Sequence, residues 1–281
     1  MTDRYAVIGN PISHSKSPQI HQMFAEQTGQ DISYEKIEAP LDGFAETIER
    51  LRNDGYKGCS VTVPFKFEAF KLANSVSESV IDTFDSGENA DAVNTLDFRN
   101  LKIVGYNTDG SGLLKDITIN RQFNISKKRV LLLGAGGAAY GVLHPLLNEE
   151  PKELVITNRT LEKAQRIEKK IRGTAKFPVT SVSWSSYSDL SKKQFDLVIN
   201  ATSAGLTDSE LPLPPTIFAP NALAYDMMYG RETPFMKFAR DHGAQVADGL
   251  GMLVEQAAEA FYLWRGVQPD TAPVIAALRL T

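Results

Sequence analysis

Short apolar runs alternate with amphipathic stretches along the chain. Residues 5–8 read as a buried strand, and helical spacing begins at Ser17. Residues 32–37 form a second strand-like run, followed by a helix near 43–51. The run 59–63 is apolar and β-branched, as a buried strand is, and Pro64 then stops ladder pairing. After another helix comes a strand pair, "AVNTLDF" (92–98) and "LKIVGY" (101–106), with Arg99-Asn100 at the turn. "SGLLKDITI" (111–119) reads as a helix leading to a second series: "RVLLLG" (129–134), "ELVIT" (153–157), "FDLVINAT" (195–202) and "ALAYDMM" (222–228). Such alternation predicts an α/β protein with parallel strands and helices on both sheet faces. In the tail, residues 251–265 have helical spacing with Gly266 as a cap, and 273–280 predict a last helix.

At 281 residues the chain suits two domains of ordinary size. A 42% hydrophobic and 23% charged composition is that of a globular protein, and a net charge of −4 gives nucleic acid no basic footprint. The basic clusters at 127–129 and 192–193 are short enough to be solvated turns. One cysteine, Cys59, excludes an intrachain disulfide and fits a reducing compartment. The four-residue apolar run near the N-terminus is too short for a signal peptide. Residues 130–148 carry no Asp, Glu, Lys or Arg, yet their four glycines and Pro145 fit strand, turn and helix better than a membrane span. The expected setting is therefore cytoplasmic, without a membrane or nucleic-acid partner.

"VLLLGAGGAAYGVL" places Gly134, Gly136 and Ala139 in a G-x-G-x-x-A pattern after a buried strand and at a helix start. Glycines there let a pyrophosphate approach the backbone and sit on the helix N-terminus. Taken alone, the pattern also suits a tight packing turn. The next strand ends in Asn158, Arg159 and Thr160, where an NAD enzyme usually has an acid for the ribose hydroxyl. Arg159 offers a planar fork for a phosphate, with Lys163 one turn on, so the preference is NADP(H) over NAD(H). An ordinary charged helix start is the plainer alternative.

In "NPISHSKSPQIH", Ser17-Pro18 makes a good helix cap with Pro at the first position, whereas Ser15 has no such structural duty. Two hydroxyls beside a helix N-terminus could hold a carboxylate. Asp109 in "NTDG" could cap the connecting helix or partner Lys66, which follows Pro64 near a strand end. An ammonium beside a carboxylate stays charged, while burial works against the charge, a balance suited to protonating a carbonyl oxygen. The four histidines form no metal-spaced cluster with carboxylates or Cys59, and no G-x-S-x-G elbow is present, so neither a metal site nor acyl-enzyme chemistry is expected.

Six motifs in order, "HSKSP", "VTVPFK", "AVNT", "NTDG", "GAGGAA" with "NRT", and "DGLGMLVEQA", make nearly the whole chain resemble the shikimate dehydrogenase family. The resemblance implies a Rossmann-type NADP-binding domain (111–248) inserted in a discontinuous α/β substrate-binding domain (1–110, with C-terminal helices at 249–281). It implies NADPH-dependent, reversible reduction of 3-dehydroshikimate to shikimate by a monomer or homodimer. Ser15 and Ser17 would bind the substrate carboxylate. Thr62, Lys66, Asn94, Asp109 and Gln256 would surround the ring hydroxyls and ketone, with a further contact from Tyr229. Lys66 would be the acid/base and Asp109 its partner. Gly134, Gly136, Gly137 and Ala138 would take the phosphates, and Asn158, Arg159, Thr160 and Lys163 the 2′-phosphate end. Thr202, Met227, Gly249 and Met252 would line the path to the nicotinamide. Two positions depart from the family pattern: Ser60 stands where members usually carry Asn, and Asp91 where they carry Gly. The segment from Lys66 to Asn94 is also longer than usual. These departures leave a paralogue acting on quinate as an alternative, beside a non-catalytic NADP- or metabolite-binding module.

Overall fold

The computed structural model describes residues 2–77, 92–172 and 180–280. It divides into two compact units, Met1–Gly112 with Leu253–Thr281, and Leu113–Met252. The first stretch runs β1 (Asp3–Gly9), α1 (Ser17–Thr28), β2 (Ile32–Glu38), α2 (Phe44–Asn53), β3 (Gly58–Val61), α3 (Lys66–Leu72), β4 (Ser75–Val76), β5 (Thr95–Asp97), β6 (Val104–Tyr106) and α4 (Asp109–Lys115). Then come β7 (Arg129–Leu133), α5 (Gly137–Asn148), β8 (Glu153–Thr157), α6 (Leu161–Arg172), β9 (Ser181–Trp184), β10 (Phe195–Asn200), β11 (Phe218–Asp226), α7 (Pro234–Asp241) and β12 (Gln245–Ala247). Helices α8 (Leu250–Arg265) and α9 (Ala272–Arg279) end the chain.

In the first unit the strand order is β2-β1-β3-β5-β6-β4. Strands β2, β1 and β3 are parallel, whereas β5 pairs antiparallel with both β3 and β6, so the strand pair read from the sequence forms a hairpin and makes this sheet mixed. Alternation along β1 and β3 sends Ala6, Ile8, Cys59 and Val61 into one core with Phe44, Ile48 and Phe65. The opposite face carries Tyr5, which stacks on Trp264 of α8 with ring centroids 4.7 Å apart. Trp264 donates its indole N–H to the carbonyl of Leu96 at 3.2 Å, and Arg99 donates to the carbonyls of Leu263 and Trp264. The C-terminal helix is thereby bound to the first sheet. Burial pushes the Cys59 thiol up, so it serves as a small apolar group.

The second unit holds an all-parallel sheet in the order β12-β11-β10-β7-β8-β9. Its central strands β7, β8 and β10 are nearly continuous runs of Leu, Val and Ile, buried from both faces. Chain order reverses direction between β7 and β10, the point at which doubly wound sheets bind ligands beyond their carboxyl ends.

Three local expectations need correction. Strand β3 ends at Val61 rather than residue 63, and Val63 beyond it is 56% exposed. The hairpin turn is wider than Arg99-Asn100, since Arg99 folds back onto the Asp97 carboxylate. The connecting helix changes at Asp116 into a π-helical turn, Asp116–Asn120, where the buried carboxylate accepts the Tyr225 hydroxyl at 2.7 Å. A Cβ at Gly251 would fall on that same carboxylate.

His21 of α1 is fully buried, with neither ring nitrogen hydrogen-bonded, and stacks on Tyr34 at 4.0 Å with Phe24, Phe261 and Trp264 around it. Burial lowers its pKa from an ordinary 6.5 to about 3. Between those values the unfolded chain takes up a proton that the folded one refuses. This contribution to stability is therefore complete above about pH 6.5 and lost as pH falls toward 3, by on the order of 1 kcal/mol per unit. We expect urea titrations between pH 7 and 5 to show a smaller loss for His21→Phe than for the unmodified chain. Identical losses would contradict this origin.

Candidate functional site

The peptide before Pro64 leaves β3, and Lys66 begins α3 directly after it. Asp109 begins α4, directly after the β6 loop. Within the first unit these two side chains meet, Lys66 Nζ lying 2.5 Å from Asp109 Oδ2. The side chains are 12% and 8% exposed, so the pair is shielded yet still reaches the surface. A buried pair of this kind needs its remaining lone pairs satisfied. Asn94 supplies the bond, donating from Nδ2 to Asp109 Oδ1 at 2.9 Å. The same amide reaches Thr108 Oγ1 at 2.9 Å and Gln256 Oε1 at 3.4 Å, while Asn94 Oδ1 accepts the Thr108 N–H at 2.9 Å. Asn107 Oδ1 accepts the Asp109 N–H at 3.0 Å. Both oxygens of the carboxylate are thus held by the protein's own side chains.

Gln256 of α8 enters this cluster 162 residues from Asn94, its own amide anchored on the Leu253 carbonyl at 2.8 Å. Thr108 is 1% exposed and also meets Gln256, at 3.3 Å. It was not among the expected residues, although its place one residue before Asp109 in "NTDG" was the available signal.

Ser15 and Ser17 lie at the start of α1, both buried, with hydroxyls 3.2 Å apart. The capping duty expected of Ser17 is not what it performs. The cap position is Lys16, Ser17 is the first helical residue, and its N–H is bonded to Ser15 Oγ at 3.3 Å. Thr62 is half-buried at the turn between β3 and Lys66. Ser60 is not left unpaired, for the Tyr34 hydroxyl donates to it at 2.8 Å. Asp91 lies outside the described residues.

In the second unit, Gly134 follows β7 with φ of +113°, a conformation that side chains resist. A Cβ there would also stand 2.9 Å from the Ala201 carbonyl oxygen, so this glycine lets β7 and β10 close up at the switch point. Gly136 caps α5 and is exposed, and Gly137 and Ala138 open the helix with first-turn N–H groups free of intrahelical partners. A Cβ at Gly136 would meet nothing within 4 Å. Asn158 follows β8 and donates to the Thr160 carbonyl at 2.8 Å, shaping the turn that presents Arg159 and Lys163 to solvent. Two cations at a helix start oppose its dipole, and Glu162 offsets only one of them, which favours an anionic ligand. Thr202, Met227 and Tyr229 occupy the loops after β10 and β11. Gly249 packs against the Met227 backbone, where a Cβ would come within 2.3 Å of its carbonyl oxygen, and Met252 is buried in α8. The cradle, the helix N-terminus and the cationic strand end fit a dinucleotide with an additional phosphate.

Comparison with known proteins decides the family. The model of the shikimate dehydrogenase substrate binding domain matches residues 7–96, that of shikimate/quinate 5-dehydrogenase matches 117–207, and that of the shikimate 5′-dehydrogenase C-terminal domain matches 249–279. A shikimate dehydrogenase (NADP(+)) of Methylobacillus flagellatus is 57% identical over 99% of both chains. The chain belongs to the shikimate dehydrogenase family. Among solved structures of similar fold, an Ael1 enzyme from Pseudomonas putida is 46% identical with a TM-score of 0.87, covering 99% of this chain and 98% of its own. The Thermus thermophilus shikimate 5-dehydrogenase in complex with NADP(H) and shikimate is 29% identical with a TM-score of 0.84, over 99% of both chains. Every motif of this shikimate dehydrogenase family member that the sequence singled out therefore sits within an alignment running almost end to end.

Gly136→Ala separates a ligand cradle from a packing turn. We expect its melting temperature to stay unchanged and its NADPH affinity to fall roughly tenfold, about 1.4 kcal/mol. Unchanged affinity in calorimetry would leave Gly136 without a role in binding.

Proposed function

We propose that the chain catalyses the reversible, NADPH-dependent reduction of 3-dehydroshikimate to shikimate. The observation that carries this reading is the shielded Lys66–Asp109 pair, fixed by Asn94, in a member of the shikimate dehydrogenase family. NADPH, when bound, supplies the hydride. Gly134, Gly136, Gly137 and Ala138 would hold its phosphates, with Asn158, Arg159, Thr160 and Lys163 around the 2′-phosphate and Thr202, Met227, Gly249 and Met252 along the remainder.

The substrate carboxylate has a natural seat at Ser15 and Ser17, where two hydroxyls and the α1 N-terminus favour negative charge. Thr62, Asn94 and Gln256 bear the polar groups suited to ring hydroxyls, and Tyr229 would add a contact. As hydride reaches the ketone carbon, Lys66 gives a proton to the carbonyl oxygen, and the carbon–oxygen double bond becomes an alcohol. Asp109 holds the ammonium in place until that moment. In the reverse direction Lys66 takes the alcohol proton as hydride leaves. A purely binding module has no need of such a pair. Where the protein works is proposed as the cytoplasm, which suits an unpaired buried Cys59; no helix among the described residues is long and apolar enough to cross a membrane.

Nicotinamide absorbance with each pairing of shikimate or quinate and NADP or NAD tests the assignment. Fast reduction is expected with shikimate and NADP alone. Equal rates with quinate would overturn the substrate, and equal rates with NAD the role of Arg159.

A further inference from the structure

Asp226 ends β11 and Asn200 ends β10, and the two are register partners on neighbouring parallel strands. Both are almost wholly buried, at 0% and 1% exposure. The Asp226 carboxylate receives three donors: Met228 N–H on Oδ1 at 3.0 Å, and Asn200 Nδ2 at 3.2 Å and the Thr233 hydroxyl at 2.5 Å on Oδ2. No cation is ion-paired with it among the described residues. Burial, with the charge of Asp248, pushes this carboxyl up. Such a group is costly to retain unless its bonds do something that an apolar residue could not.

What they do is orient two loops at once. Because Asn200 gives its amide N–H to Asp226, its Oδ1 must face the other way, where it accepts Thr202 N–H at 3.1 Å and Thr202 Oγ1 at 2.7 Å. Thr202 Oγ1 in turn accepts the Ala204 N–H at 3.3 Å. On the other side, Met227 N–H is tied to the Asn200 carbonyl at 3.0 Å, and the Met228 carbonyl accepts Gly249 N–H at 2.8 Å. Thr233 Oγ1, besides donating to Asp226, caps α7 by accepting Met236 N–H at 3.2 Å. We infer that Asp226, acting through Asn200, is a positioning residue for the dinucleotide, setting the loop at Thr202 and the loop at 227–229 as one unit. This rests on the proposed reading that Thr202 and Met227 lie along the NADPH path.

The polarity of the chain makes the idea testable with an isosteric change. Asp226→Asn puts an amide N–H₂ where either Met228 N–H, or Asn200 and Thr233, now donate. Asn200 cannot turn over to relieve the conflict without dropping both bonds to Thr202. Exchanging the pair, Asn200→Asp with Asp226→Asn, restores a donor between the two strands and an acceptor for Thr202. Binding of NADPH alone, followed by nicotinamide fluorescence, should weaken at least roughly tenfold in Asp226→Asn, while the KM for shikimate stays within about twofold. The exchanged double variant should recover most of the NADPH affinity.

Unaltered NADPH binding by a folded Asp226→Asn would overturn the inference. So would parallel losses in NADPH affinity and shikimate KM that the exchange does not repair, since those belong to a general structural role. If Asp226→Asn does not fold, Asn200→Ala, which releases Thr202 but leaves Met228 and Thr233 on the carboxylate, reads the same two quantities. Its binding NADPH normally would be equally decisive against the idea. Failure of the unmodified chain to bind NADPH at all would bring down the functional reading itself, together with the inference.

Discussion

The ion pair between Lys66 and Asp109 is the constraint around which the first unit is arranged. An ammonium and a carboxylate removed from most of their water are tolerable only when close and when their other bonding directions are filled. Here Asn94 fills one on the acid by donating to Oδ1, and Asn107 fixes the backbone beneath it by accepting the Asp109 N–H. Each partner is placed at the start of a short helix immediately beyond a strand, so the pair inherits the rigidity of the sheet. The β5–β6 hairpin matters for the same reason. It brings Asn94, just before β5, beside Thr108 and Asp109, just after β6. Helix α8 closes the cluster through Gln256 and is itself held by Trp264 and Arg99.

The second unit solves a different problem with comparable economy. Its parallel sheet puts the loops after β7, β8, β10 and β11 at one end, and Gly134 allows the first and third of them to approach at the switch point. A pyrophosphate needs backbone N–H groups and few side chains, which α5 provides. The 2′-phosphate proposed to lie at the end of β8 would meet the exposed cations Arg159 and Lys163, whose charge there opposes the helix dipole. The residues proposed for dinucleotide binding and for proton transfer therefore belong to separate folded units of one chain.

Much of this was legible from the residues. Alternating apolar runs located most of the strands of both series, because a buried parallel strand leaves an unmistakable run of Leu, Val and Ile. The tight turn after β7 and the helix start beyond it were readable because they depend on glycine, whose reason for being there is local. Less legible was anything settled by distant partners. Ser17 looked like a helix cap, yet the chain enters α1 one residue earlier and leaves its hydroxyl beside Ser15. The helix at 111–119 gave no hint of its π turn, which forms where Tyr225, more than a hundred residues on, binds Asp116. Thr108 was overlooked because a buried threonine in a loop carries no periodic signal. The bond from Tyr34 to Ser60 was hidden for the same reason, since β2 and β3 meet only across β1.

The central claim is that Lys66 and Asp109 act as one device, and a double-mutant cycle on turnover measures this directly. The variants are Lys66→Met, Asp109→Asn and the two combined, each assayed at saturating shikimate and NADP. The account predicts that either single change removes nearly all the turnover that the double change removes, because neither group functions without the other. Losses that multiply independently, each variant contributing its own separate factor, would contradict it.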